Sequence, residues 1–200
     1  MKIIGLTGGI ACGKSTVSAY LKQRGAAIID GDAIAKELSA PGRSIWTAYK
    51  EHFGSEILND DNSLNRRLIG QKVFTDEAEK NWMNKTMQPL IKAELMQRLK
   101  QCKDSGTKVA VLDVPLLFEA GWHTLADEVW VVAVDRALQI KRIKERDGLS
   151  EAEAISRIDA QMPVAEKARR ADVVIDSSHP IEITQAKVKE ICLERHLDLD

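Results

Sequence analysis

Gly8-Gly9-Ile10-Ala11-Cys12-Gly13-Lys14-Ser15 carries the densest chemistry in the sequence. It fills every fixed position of the phosphate-loop pattern G-x-x-x-x-G-K-[ST]. At average residue usage a chain of this length meets that pattern by chance about once in a hundred. The pattern implies main-chain amides wrapped around a phosphate chain at a helix start, where the helix dipole favours anions. Gly13 lets the backbone approach the phosphate closely. Lys14 would reach the β- and γ-phosphates, and the Ser15 hydroxyl would coordinate Mg²⁺. Gly8, Gly9, Ala11, Cys12, Gly13, Lys14, Ser15 and Thr16 are therefore the expected contacts to a nucleoside triphosphate. Cys12 sits near a helix start, where a low thiol pKa is conceivable.

Carboxylates and arginines supply the rest. Asp30 and Asp32 follow one apolar run and Asp113 ends another, so all three are expected at strand ends facing the loop. Asp32 suits a base or orienting group for an acceptor hydroxyl. It equally suits the N-cap of a helix beginning near Ala33, and both readings stay open. Asp113 suits a Mg²⁺ site, directly or through water, in the manner of a Walker-B acid. Arg142 and Arg146 share a helix face and Arg157 follows in the next helical stretch, as charge-stabilising lid groups or as a solvated ion-paired surface.

Positioning these groups takes a frame, and the sequence describes one. Strand-like runs at Lys2 to Thr7, Ala26 to Asp30, Lys108 to Asp113, Glu128 to Val134 and Asp172 to Asp176 alternate with helical patterns. Near-continuous apolar strands between helices predict an α/β fold whose parallel sheet is covered on both faces. The first helix should run from Gly13 or Lys14 to Arg24, stopped by Gly25, and Ile181 to His196 should form the last. The core is expected at about 1–32, 104–135 and 171–200, with a helical insertion at about 33–103 and a charged helical lid at about 136–170. Ser150 has the spacing of a capping box with Glu153.

Composition narrows the class. Twenty-nine Lys and Arg against 30 Asp and Glu argue against a nucleic-acid partner. Apolar runs such as Val129 to Val134 are too short for a bilayer, and Lys2 leads straight into a strand, so neither a membrane segment nor a leader is expected. Cys12, Cys102 and Cys192 are scattered, which fits a reducing cytoplasm. The four histidines show no ligand spacing, and the tryptophans read as packing residues. A guanine-reading N-K-x-D is missing, its nearest fragment being Asn84-Lys85-Thr86-Met87, and no L-S-G-G-Q-like element is present. The class left is a small kinase carrying its acceptor site and lid in the same chain.

The longer motifs make that specific. Leu6 to Ile10 and the loop through Thr16, Ile29 to Ala35, Asn65-Arg66-Arg67-Leu68 with Val73-Phe74, and Asp113 to Glu119 resemble the dephospho-coenzyme A kinase family. So do Gln139 to Arg142 and Arg157 to Pro163, and the likeness runs along nearly all 200 residues. The resemblance implies transfer of the ATP γ-phosphate to the ribose 3′-hydroxyl of dephospho-coenzyme A, giving coenzyme A and ADP. It implies a three-layer P-loop kinase fold with five parallel strands, a helical acceptor-binding insertion and a helical lid. Asp32 matches the family's base position and Arg142 its lid, so Lys14, Asp32 and Arg142 are the expected catalytic residues. Where the family commonly has Gly-Ser this chain has Ala11-Cys12, and Ala11 narrows the allowed backbone angles. A cytoplasmic protein is expected, monomeric with self-association left open. The alternatives are another small-metabolite kinase and a non-catalytic nucleotide switch.

Overall fold

In a computed structural model of the chain, residues 1–197 and 199 are described, Phe74 by its backbone alone. Strand β1 (Lys2–Gly8) lies at the centre of a five-stranded sheet of order β2-β3-β1-β4-β5. The others are β2 (Ala27–Asp30), β3 (Val109–Asp113), β4 (Glu128–Ala133) and β5 (Val173–Asp176). Strand β1 pairs in parallel with β3 on one side and β4 on the other, and β4 pairs in parallel with β5. The chain runs from β1 outward to β2 and returns through β3, so a topological switch point lies beside β1. Ligands of such sheets collect there, beyond the carboxyl ends of the strands.

Strand β3 is buried at every position, as expected for helices covering both faces. Strand β5 differs: its burial alternates and Val174 is exposed, because β5 is the sheet edge. Its apolar run reads as fully buried in the sequence, yet only one of its faces is covered. Helices α1 (Lys14–Gln23) and α9 (Ile181–Glu194) close part of the core, with Val17, Leu21, Val188 and Ile191 against Ile4, Val111, Trp130 and Ile175.

The chain divides into two compact units, residues 1–29 with 99–200, and residues 30–98. The second contains α2 (Gly31–Leu38), α3 (Ser44–Phe53), α4 (Arg66–Thr75) and most of α5 (Glu77–Asp104). Its own core includes Ile34, Ile45, Tyr49, Ile57, Ile69 and Leu95. Leu58 and Leu64 form an isolated antiparallel bridge there.

The stretch 136–170, expected as a lid apart from the core, belongs to the first unit. It holds α6 (Arg136–Asp147), α7 (Glu151–Asp159) and α8 (Val164–Arg169). Ile143, Ala154 and Ile158 pack there with Ile10, Ala11, Ile140 and Leu149 in one apolar cluster. The capping box at Ser150 and Glu153 is formed.

Candidate active site

The loop between β1 and α1 is shaped by two glycines. Gly13, the N-cap of α1, is left-handed at φ 79°, a conformation that glycine reaches without steric penalty. Gly9 is needed for space instead: an added Cβ would lie 2.3 Å from Val164 Cγ2 and 2.6 Å from Gln139 Nε2. Ala11 is also left-handed, at φ 60°. An alanine there costs about 1 kcal/mol, so contacts from outside the loop must hold it. No side chain caps α1 and its first turn holds no acidic residue. The amides at the very start of the helix precede its hydrogen-bond ladder, which Thr16 N–H begins by donating to Gly13 O at 3.0 Å, and the helix dipole adds a preference for an anion.

Those outside contacts fall on the loop carbonyls. Ile10 O accepts from Gln139 Nε2 at 2.8 Å, Ala11 O from Arg142 at 3.3 Å, and Cys12 O from Ser177 Oγ at 2.6 Å. Gly8 O lies 3.5 Å from Lys167 Nζ. Gly9 O and Gly13 O accept from the Cys12 and Thr16 amides. On the donor side, Ile10 N–H goes to Gln161 Oε1 at 3.0 Å.

Cys12 differs from expectation. Its amide is taken by the turn at 3.2 Å, and its side chain is buried in the sheet core. Burial pushes the thiol pKa up, outweighing main-chain hydrogen bonds and the charges of Arg142 and Lys167. Cys12 is a packing residue inside the loop, and the low thiol pKa conceivable at a helix start is overturned by desolvation.

Lys14 and Asp113 meet, with Lys14 Nζ donating to Asp113 Oδ1. Asp113 is buried at the end of β3 and Ser15 is exposed in the first turn of α1. Next to them sits a fully buried cation, Lys167. Its Nζ donates to Pro115 O at 2.7 Å and pairs with Glu119 Oε1 at 2.9 Å. Glu119 Oε1 also accepts the Met162 amide at 3.0 Å. Through Lys167, the Pro115 to Glu119 segment and the Gln161-Met162-Pro163 run become one hydrogen-bonded assembly behind the loop.

The arginines separate into two kinds. Arg142 holds the loop: beside its bond to Ala11 O, it donates to Ser177 O at 2.7 Å. Its guanidinium is thus engaged by main-chain carbonyls, an arrangement that neither the lid reading nor the surface ion-pair reading of the sequence specified. Arg146 and Arg157 both pair with Asp147 at the surface, at 2.8 and 3.2 Å. These are the solvated ion pairs of the plainer reading. A cleft of about 480 Å³ opens beside the loop, lined by Ala11, Gly13, Ser15, Thr16, Arg142, Ser177 and His179 among others.

The 30–98 unit has its own pocket, about 590 Å³, whose lining includes Asp32, Lys36, Tyr49, Arg66, Val73, Lys80, Met83 and Met87. The question of the cap is decided by distance. Asp30 accepts from the Asp32 and Ala33 amides at 2.8 and 3.0 Å, so Asp30 caps α2. Asp32 lies in the first turn of α2 and lines the pocket instead. Tyr49 donates to Met87 Sδ at 3.0 Å, and burial pushes its pKa up to about 12. The pocket wall is aromatic through Tyr49; none of the four tryptophans lines it.

Gln139, Gln161, Lys167 and Ser177 had no individual role in the sequence. Gln139 and Gln161 stand inside the family-like runs, and that is a usable signal. Lys167 has none, since a lysine among Glu166, Arg169 and Arg170 reads as surface.

Comparison with known proteins matches this arrangement. The family model described as Dephospho-CoA kinase matches residues 2–182. A dephospho-CoA kinase of Symbiobacterium thermophilum is 46% identical over 189 residues, covering 94% of this chain and 79% of that protein. One of Carboxydothermus hydrogenoformans is 44% identical over 191 residues, covering 96% and 93%. The crystal structure of TT1252 from Thermus thermophilus superposes with a TM-score of 0.82 at 31% identity, over 96% of this chain and 97% of that one. A phosphate loop followed by this length of matching sequence leaves one assignment: the chain belongs to the dephospho-CoA kinase family.

Proposed function

We propose that this protein transfers the γ-phosphate of ATP to the ribose 3′-hydroxyl of dephospho-coenzyme A, releasing coenzyme A and ADP. The observation that carries the reading is the loop from Gly8 to Ser15, its carbonyls held from outside and Lys14 beside it on Asp113, in a chain of this family. The loop and first-turn amides that no protein acceptor takes, with Gly8, Gly9, Ala11, Gly13 and Thr16 around them, receive the phosphates, whereas the amides of Ile10, Cys12 and Thr16 are held within the protein. Lys14 exchanges Asp113 for the β- and γ-phosphates and offsets the charge that develops on the moving group. The cleft beside the loop takes the nucleoside. Arg142 fixes the loop from there.

Mg²⁺ fits the donors present. Ser15 offers a hydroxyl and Asp113 a carboxylate, both hard oxygens. Among the described residues no larger cluster of metal-ligating side chains exists, as suits an ion held mainly by phosphates and water. When bound, Mg²⁺ neutralises phosphate charge.

The pocket of the 30–98 unit takes the acceptor. Lys36, Arg66 and Lys80 match its pyrophosphate, while Tyr49, Val73, Met83 and Met87 match its apolar arm. Asp32 orients the 3′-hydroxyl and receives its proton. Among the described residues no helix is long and apolar enough to cross a membrane. We place the reaction in the cytoplasm, where Cys12, Cys102 and Cys192 stay reduced, and take the monomer as the working form.

An acceptor panel tests the proposal. With Mg·ATP, dephospho-coenzyme A should drive ADP release, and shikimate or gluconate should not. ADP release driven by one of the smaller acceptors would refute it. Lys14→Ala should remove most of the turnover.

A further inference from the structure

The phosphate loop is gripped at one residue from both sides. Ile10 N–H donates to Gln161 Oε1 at 3.0 Å, and Ile10 O accepts from Gln139 Nε2 at 2.8 Å. Each glutamine uses the half of its amide that the main chain requires, a carbonyl for the N–H and an NH₂ for the C=O. The two arrive independently, Gln139 from α6 and Gln161 from the turn after α7. Gln139 is almost fully buried, so its amide has little water to fall back on. The glycine at position 9 makes room for it, because a Cβ there would meet Gln139 Nε2 at 2.6 Å.

The residue they hold precedes Ala11, which sits in a left-handed conformation that alanine does not favour. Ile10 also packs against the apolar cluster of Ile143, Ala154 and Ile158. Apolar contact fixes the side chain without fixing the direction of its peptide groups. The two amides do that.

We propose that Gln139 and Gln161 are positioning residues for phosphoryl transfer: by holding both peptide groups of Ile10 they keep Ala11 left-handed and the loop amides set for the nucleotide's phosphates. This rests on the loop binding the nucleotide, as stated above, so the parent protein's affinity for ADP is the baseline. The clamp acts on the nucleotide half of the reaction alone. Its loss therefore weakens ADP binding and raises the KM for ATP, and leaves the KM for dephospho-coenzyme A alone.

Gln161→Met keeps the length of the side chain and removes its acceptor. ADP affinity by calorimetry should fall about fivefold to tenfold, the effect of one hydrogen bond, with the acceptor KM within about twofold of the parent. Native-state hydrogen exchange gives a readout that ordinary destabilisation does not reproduce. Exchange at Ile10 should accelerate at least about tenfold, while Leu6 in the centre of β1 keeps its parental rate. Gln139→Met should weaken ADP binding similarly, and the double variant should lose less than the two losses combined, because both act through one residue. Gln161→Glu retains an acceptor and must keep Ile10 protected, which tests the geometry even if the methionine variant does not fold. Unchanged Ile10 exchange in Gln161→Met, equal losses for nucleotide and acceptor, or lost protection in Gln161→Glu would each overturn the proposal. Failure of the parent to bind ADP would instead overturn the nucleotide reading, and the exchange result would still judge the clamp.

Discussion

Replacing Lys167 by methionine keeps a side chain of similar length and deletes the ammonium, taking one donor away from each of three oxygens. Those oxygens are Pro115 O, Glu119 Oε1 and Gly8 O, at 2.7, 2.9 and 3.5 Å from Nζ. Lys167 has no exposed surface, and breaking a buried pair from one side costs about 3–5 kcal/mol. Pro115 O retains the Thr7 hydroxyl at 2.8 Å, Glu119 retains the Met162 amide, and a quarter of the Glu119 side chain is exposed. Water can therefore recover part of the loss, and about 3 kcal/mol is the better figure. For a chain of 200 residues that lowers Tm by about 6–12 °C, at roughly 2–4 °C per kcal/mol. Thermal unfolding followed by calorimetry reads it. The companion variant Lys167→Met with Glu119→Gln removes the stranded carboxylate as well, so it should regain part of the loss. A drop below about 2 °C, or a double variant no more stable than the single, would refute the reasoning that a buried charge pair braces the loop from behind.

Asp32→Asn should lower kcat by about 10²–10⁴ with Tm and ADP affinity near parental values, because Asp30 caps α2; steady-state kinetics beside a thermal melt separate the two effects. Burial raises the Glu128 pKa, but bonds from Lys2 and Trp130 and the charges of Lys2 and Arg195 outweigh it and hold it below the ordinary 4.5. A depressed carboxylate stabilises the fold above its unfolded pKa and loses that contribution as pH falls through the folded one. Urea titrations should therefore show Glu128→Gln less stable than the parent at neutral pH, with the gap narrowing as pH falls below the ordinary carboxylate value. Iodoacetamide at about pH 8 should label Cys102 first in the native protein. Burial raises the thiol pKa of Cys12 and Cys192, and peptide mass mapping that finds Cys12 equally reactive would contradict its packing role.

What the sequence made legible was local. The phosphate loop is a contiguous pattern whose function is carried by its own backbone. Apolar runs such as Val109 to Leu112 declare a strand, although whether both faces are covered depends on its place in the sheet, as the edge strand β5 shows. The capping box at Ser150 needs only a spacing of three. What stayed hidden depends on partners distant in the chain. Lys167 is buried because Glu119 and the carbonyls of Gly8 and Pro115 converge on it, and none of these is near it in sequence. The 136–170 stretch reads as charged and helical, and its apolar seat of Ile143, Ala154 and Ile158 against Ile10 and Ala11 shows only in the fold. The hold of Arg142 on the loop was hidden too, because its partner Ser177 comes from beyond β5. Two aspartates two residues apart could each cap α2, and the direction of their side chains decides that Asp30 does.

Following the phosphoryl group itself tests the account most directly. ATP labelled in its γ-phosphoryl group should be incubated with the protein, Mg²⁺ and dephospho-coenzyme A, and the products separated and mapped. Label should appear on the 3′-oxygen of the product, in equal amount to ADP and with none as inorganic phosphate. Label recovered only as inorganic phosphate, or ADP formed at the same rate without the acceptor, would contradict it.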